Sequence, residues 1–342
     1  MLKWALVTVA AGALLAATTA AQAQKVLRVS SWAPPTHHIN SEILPTWGKW
    51  IEEASNGRLQ IKVEYGLAPP PGQFDVARDG IADISWSTYD YTPGRYVLTK
   101  VVELPGLDTS AEAKSVALWR TQQDVFAKAD EHKGLVLLGV MVHGPGMIHT
   151  KDKLASLADL KDMKIRIGGG VAAEVGKMLG VVGVQVPAPK VYETLSQGVA
   201  DGVFFPIESK KSFRIYEVAP YTLIVPGGMY ASAFGFVMNP DSYAALSEDD
   251  REALLSVSGE KLSAMAGKAW DKADEAGMQV VKDAGNTVTE VSADDAKMFD
   301  GIIAKLQGEW VEQATAKGID GSAALAEVQR IAREYDKQMM KK

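Results

Sequence analysis

The segment Lys164-Ile165-Arg166-Ile167-Gly168-Gly169-Gly170-Val171-Ala172-Ala173 holds the residues best spaced for chemistry. An arginine at the carboxyl end of a β-rich run, beside a glycine turn that opens a helical pattern, sets a bidentate cation next to unpaired backbone N–H groups. That combination is an anion receptor. Pairing of Arg166 with a structural Asp or Glu would use the same residue, and the sequence leaves both readings open. The string also fits G-x-G-x-x-A, with Glu193 available to hold a ribose. It falls in mid-chain rather than on an opening strand, so the dinucleotide reading is set aside and no cofactor is expected.

Other reactive patterns fail sooner. The histidines His37, His38, His132, His143 and His149 never take metal-ligand spacing with Asp or Glu on one helix face, and His37 and His38 would point apart in a strand. No metal site is expected. His143-Gly144-Pro145-Gly146 hints at an oxyanion loop, but the chain has no G-x-S-x-G elbow, and the segment reads as a turn between lobes. A binding protein is therefore favoured over an enzyme, with a structural role third.

Aromatic residues gather near the same edges. Trp32, Trp86, Tyr89 and Tyr91 fall at or just beyond strand ends in the first half, and Phe204-Phe205 at a strand end in the second. Ligands of open α/β sheets sit along that edge. Phe204 reads as core, whereas Trp32 and Phe205 read as pocket walls because Ala33-Pro34-Pro35 and Pro206 follow them at once. Trp86, Tyr89, Gly168 and Glu208 complete the candidate ligand-binding set with Arg166.

Positioning these groups takes alternating strands and helices. Val26–Val29 reads as a strand, Ile43, Leu44, Trp47, Trp50, Ile51 and Ala54 as one helix face, and Leu59, Ile61, Val63 and Tyr65 as a second strand. A short helix at 74–78 leads to a strand at 83–86. Further strands are expected at 134–140, 163–167, 184–186 and 202–205, with helices at 171–179 and 191–197. This βαβ order predicts α/β lobes with mainly parallel sheets. The apolar run 231–238 is expected to return to the first lobe. From Ser247, a plausible N-cap, to about Asp283 no proline intervenes, which predicts a helix roughly 50 Å long or two helices broken near Gly259 or Gly277.

Composition sets the frame. The 342 residues are 47% hydrophobic and 23% charged, with no Cys, which suits two globular lobes and excludes low-complexity disorder. Basic residues number 36 against 42 acidic, without long like-sign blocks, so no nucleic-acid surface is expected. Lys3, an apolar run from Ala5 to Ala17 and Ala21-Gln22-Ala23 read as a cleaved secretory signal peptide over residues 1–23. Residues 24–146 are expected to form the first lobe, with a segment returning at about 232–270. The second is expected at 147–231 with about 271–330, and 331–342 as a C-terminal tail. A periplasmic monomer is expected.

Several of these strings together resemble one family. They are Asn56-Gly57-Arg58 before an alternating strand, Glu103-Leu104-Pro105, Asp159-Leu160-Lys161-Asp162-Met163-Lys164-Ile165-Arg166, Val191-Tyr192-Glu193-Thr194-Leu195, and Ala200-Asp201-Gly202 with Tyr216-Glu217-Val218 downstream. From about residue 26 to 335 the chain resembles the solute-binding subunit of tripartite ATP-independent periplasmic (TRAP) transporters. The resemblance implies a two-lobed periplasmic binding protein-like fold with hinge strands and a long helix spanning both lobes. It also implies a small organic acid held in the cleft and delivery to integral-membrane TRAP subunits. Arg166 matches the arginine that holds the ligand carboxylate in that family. Two departures stand out. Val203-Phe204-Phe205-Pro206 replaces the frequent Q-E-N-P, and Gly146 stands where sialic-acid members carry a second Arg. One arginine fewer and one aromatic more should favour a monocarboxylate with an apolar or aromatic body. An exported enzyme acting on small carboxylic acids is the alternative.

Overall fold

Alternating apolar residues in Lys25–Ser31 form β1, which is followed by a π-helical turn at Ile39–Ile43 and by α1 (Leu44–Ala54). The computed structural model describes residues 24–341; the signal peptide expected at 1–23 lies outside them. Leu44, Trp47 and Ile51 of α1 face the core at helical spacing. The helix stops where Asn56 (φ 51°) and Gly57 (φ 78°) adopt left-handed backbone and the Gly57 N–H closes on the Glu52 carbonyl at 2.8 Å. Next come β2 (Leu59–Tyr65), α2 (Gln73–Arg78), β3 (Ile84–Thr88), α3 (Ala111–Thr121) and β4 (Val136–Val142).

After a short crossing at 143–145 the chain builds β5 (Gly146–Thr150), β6 (Lys164–Ile167), α4 (Gly170–Met178), β7 (Val182–Gln185), α5 (Val191–Ser196), β8 (Gly202–Pro206), α6 (Ser209–Ser212) and β9 (Tyr221–Ile224). It then returns through β10 (Ala233–Met238) and continues as α7 (Pro240–Ala244), α8 (Glu248–Ser256), α9 (Gly259–Asp283), β11 (Thr287–Glu290), α10 (Ala293–Ala316) and α11 (Gly321–Met339). Two sheets result, in the orders β2-β1-β3-β10-β4 and β11-β9-β5-β8-β6-β7. Both are mixed. β10 runs antiparallel to β3 and β4, and β5 antiparallel to β8 and β9, because these strands carry the chain back across the gap between lobes.

The long helical pattern divides at Val257–Ser258. Ser247 caps α8, its Oγ accepting the Asp250 N–H at 3.1 Å, and α9 begins afresh at Gly259 with φ 62°. At 1.5 Å per residue the 25 residues of α9 run about 37 Å, enough to serve both lobes. Small residues let it approach closely. A Cβ on Gly267 would stand 2.5 Å from Glu112 Cα of α3, and one on Gly277 would overlap the Ile207 carbonyl beyond β8.

The last helices differ from expectation. α10 and α11 fold back toward the first lobe, where the Trp310 indole N–H donates to the Val97 carbonyl (2.9 Å) and Asp336 accepts from the Ser110 N–H (3.0 Å). Residues 331–339 belong to α11 rather than to a tail. Ala324, Val328, Ile331 and Ala332 continue one buried stripe through them.

Tyr89 also departs from its expected place. It packs between Phe74 and Tyr96, and its hydroxyl meets His132 Nε2 at 2.8 Å, which makes it part of the first lobe's core. Burial, with the Arg95 charge, lowers His132 to about 4. Between that value and the unfolded value near 6.5 the unfolded chain binds the extra proton, so this residue's contribution is lost as pH falls. The stability advantage of the wild type over His132→Gln should therefore shrink from pH 6.5 to 4, by up to about 1.4 kcal/mol per pH unit. Denaturant melts of both proteins across that range check it.

Candidate ligand-binding site

β6 lies between β7 and β8, and its last three residues, Ile165, Arg166 and Ile167, are buried. Arg166, opposite Val184 and Val203 in register, is 1% exposed. Its Nε–H donates to the Val186 carbonyl at 2.8 Å, and Nη2 is buried without a partner. Among the described residues no carboxylate lies within 4.0 Å of the guanidinium. Of the two sequence readings, the structural ion pair is thus absent. A buried cation without a counter-ion is costly unless an anion supplies the missing charge.

The glycine turn serves a different purpose from the one expected. Gly169 (φ 143°) and Gly170 (φ 53°) open α4, but the first lobe's Asp90 fills the space beside them. A Cβ on Gly169 would come within 2.5 Å of the Asp90 carbonyl oxygen, and one on Gly170 would overlap Asp90 Oδ1. The turn is therefore a closely fitted contact between lobes. Burial raises both Asp90 and Glu103, and their proximity favours a shared proton. Glu103 also accepts the Ala233 N–H at 3.0 Å, tying the pair to the start of β10.

Arg166 opens on a pocket with about 540 Å³ of empty space, its mouth included. Trp32, Phe205, Gly168 and Glu208 line it as expected, together with Tyr91, Phe213, Tyr230, Phe234 and Trp270. The Phe205 ring lies 4.6 Å from the guanidinium carbon and stacks on Phe213 at 5.5 Å. Trp270 of α9 stacks on Phe234 of β10 at 5.5 Å and forms the opposing apolar surface. Trp86 does not line the pocket. It is fully buried behind Trp32, ring centroids 4.6 Å apart, with its indole N–H given to Ser31 Oγ at 3.1 Å.

The lobes also meet through Tyr91, whose hydroxyl accepts the Ala188 N–H at 2.9 Å, and through Lys100 and Glu174 at 3.0 Å. Gly146 has its own reason: a Cβ there would run into the Tyr230 ring. The volume a second arginine would need is taken by an aromatic wall.

His37 and His38 do not point apart. They stand in a turn before the π-helical segment, with rings stacked at 4.2 Å and 29°. Their nitrogens and the Glu208 carboxylate lie within 4.8 Å of one another. Ring lone pairs lie in the ring planes, so two nearly parallel imidazoles aim past each other rather than at one tetrahedral ion. Burial lowers both histidines, His37 to about 3, and raises Glu208 to about 8.

Two α/β lobes closed around Arg166, the one buried arginine among the described residues, define a binding protein for an anionic solute. The chain belongs to the bacterial extracellular solute-binding proteins of family 7, whose family model matches residues 29–313. It is 38% identical to a TRAP periplasmic solute-binding protein from Bordetella bronchiseptica with bound (R)- and (S)-mandelate. That match has a TM-score of 0.88 and covers 91% of this chain and 100% of the other. A TRAP solute-binding protein from Rhodoferax ferrireducens, in complex with copurified benzoate, is 31% identical with a TM-score of 0.86, covering 92% and 100%. The outer membrane transporter protein TsaT of Comamonas testosteroni is 29% identical, covering 92% of this chain and 94% of that protein. The family expected from the sequence motifs is the one found.

Sequence reasoning missed Tyr230, Phe234, Trp270, Phe213 and His143 as pocket residues. A signal was present for Phe234, in the aromatic run of the returning strand. For Trp270, eight residues after Leu262 on α9, helical spacing could have served. Phe213 and His143 are brought in by tertiary packing alone.

Proposed function

We propose that this protein captures a monocarboxylate with an aromatic body between its lobes and delivers it to the integral-membrane subunits of a TRAP transporter. One observation carries the reading: Arg166 is buried, has no counter-ion among the described residues and lines an aromatic-walled pocket. A carboxylate would accept from the free guanidinium N–H groups while its ring packs among Trp32, Phe205, Phe234 and Trp270. The Trp32 indole N–H, also buried without a partner, offers a further donor. The mandelate and benzoate in the two similar structures support this solute class.

The receptor works outside the cytoplasm, exported by the leader over residues 1–23, and acts as a monomer without catalysing a reaction. Solute completes the closed form, because the Arg166 pair gains strength only as water is excluded. Thermal melts of residues 24–342 with benzoate, mandelate and succinate test it. At one hundred times its Kd, a specific aromatic acid should add about 2.7 kcal/mol of stability. Recovery of the acid unchanged distinguishes a receptor from the alternative exported enzyme. A response to succinate alone would overturn the aromatic assignment.

Phe205→Asn removes the ring over Arg166 and its stack on Phe213. Benzoate affinity should fall by about 1–2 kcal/mol while affinity for hydroxylated aliphatic acids rises. Calorimetry with both classes of acid measures the shift.

A further inference from the structure

A path of aromatic contacts leads from Arg166 along the pocket lining through Phe205 and Phe213 to His37. The guanidinium carbon is 4.6 Å from Phe205, Phe205 is 5.5 Å from Phe213, and Phe213 is 5.5 Å from the His37 ring. His37 follows β1 in the first lobe and Glu208 follows β8 in the second, and both line the pocket.

Each retains hydrogen-bonding capacity. His37 Nδ1 accepts the Ile39 N–H at 3.3 Å, which puts the proton of the neutral ring on Nε2, and no described residue accepts from that Nε2–H. Glu208 Oε2 accepts from Ser212 Oγ at 2.5 Å and lies 3.9 Å from His38 Nδ1, whereas Oε1 has no hydrogen-bond partner among the described residues. A wall otherwise made of rings thus presents a free donor and a free carboxyl oxygen. A hydroxyl, which both accepts and donates, satisfies the two together. Asp274 Oδ1 accepts the Glu208 N–H at 2.9 Å, so a second carboxylate would bring a third carboxyl group into a buried cluster where burial already raises both Glu208 and Asp274.

We infer that His37 and Glu208 form a hydroxyl-recognising subsite in the same pocket lining as Arg166, which makes the solute a hydroxylated aromatic monocarboxylate. The inference rests on the reading of Arg166 as the carboxylate anchor. A site built to bond a hydroxyl discriminates against the analogue that lacks it, because its own polar groups are then left unpaired.

Calorimetry with benzoate, 3-hydroxybenzoate, 4-hydroxybenzoate and isophthalate tests it on the wild type, His37→Phe, Glu208→Ala and Glu208→Gln. In the wild type one hydroxybenzoate should bind at least about tenfold tighter than benzoate, and isophthalate should bind weakest. That preference ratio should fall to about one in His37→Phe and Glu208→Ala. It should persist in part in Glu208→Gln, which keeps an amide oxygen at the site and guards against loss of fold in the alanine variant. Benzoate binding with no hydroxyl preference, or a preference that survives both truncations, would overturn the subsite alone. Failure of all four acids to bind the wild type would overturn the Arg166 reading and the subsite with it.

Discussion

Arg166→Ala should weaken binding of the aromatic acid by about 2–5 kcal/mol, a loss of roughly 30- to 5,000-fold. The size follows from burial. At 1% exposure the guanidinium has little water to fall back on, and among the described residues its hydrogen-bond partner is the Val186 carbonyl, which accepts from Nε–H. On the proposed reading a carboxylate would satisfy the unpartnered Nη2. In the mutant an anion is left in a pocket floored by Phe205, Gly168 and Tyr91. Without ligand the same mutation removes an uncompensated buried charge, so the free protein should be at least as stable as the wild type. Arg166→Lys should also bind weakly, because an ammonium lacks the two-pronged geometry and Lys cannot reproduce the contact with Val186 and the Phe205 face together. Calorimetry combined with denaturant melts separates the two effects. Unchanged affinity in both variants would remove Arg166 from the site.

Gly170→Ala should cost about 2–5 kcal/mol, combining a left-handed backbone with overpacking. The φ of 53° disfavours any Cβ, and this Cβ would overlap Asp90 Oδ1 with Glu103 Oε2 at 3.3 Å. Neither carboxyl can swing aside freely: both are buried, and Glu103 also holds the Ala233 N–H. The least costly relief is separation of the lobes. Affinity should fall even though no ligand contact is deleted, and small-angle scattering should show a more extended particle in the presence of acid. A variant that binds and closes like the wild type would show that the turn tolerates a side chain.

Strong local patterns were legible in the sequence. Lys164–Ile167 reads as a strand because apolar residues alternate ahead of glycines, and Asn56-Gly57 reads as a stop because those residues tolerate positive φ. Arg166, Phe205 and Trp32 were legible for the same reason, since each stands where a strand gives way to a loop. Trp86 and Tyr89 satisfy that rule equally well, yet their neighbours Ser31 and His132, distant in sequence, draw them into the core. The strands β5, β9 and β11 have only 4–5 residues each and mix Thr, His and Gly with their apolar positions, so alternation had too few residues to register. On α9 the buried face runs through Ala266, Gly267, Ala269 and Gly277. A hydrophobicity pattern weights large side chains, whereas this helix is placed by small ones that admit backbone.

The position of β10 constrains how the molecule is made. It inserts between β3 and β4, about 95 to 150 residues after them in the chain, and it alone hydrogen-bonds to both. Until Met238 has left the ribosome, the first sheet is two separate pieces with unsatisfied edges, and everything from Gly146 to Ile224 is an insertion within it. Neither half can mature early and wait for the other. A chain whose first sheet closes only when β10 arrives should stay loose until late in synthesis, the condition that the export proposed above demands.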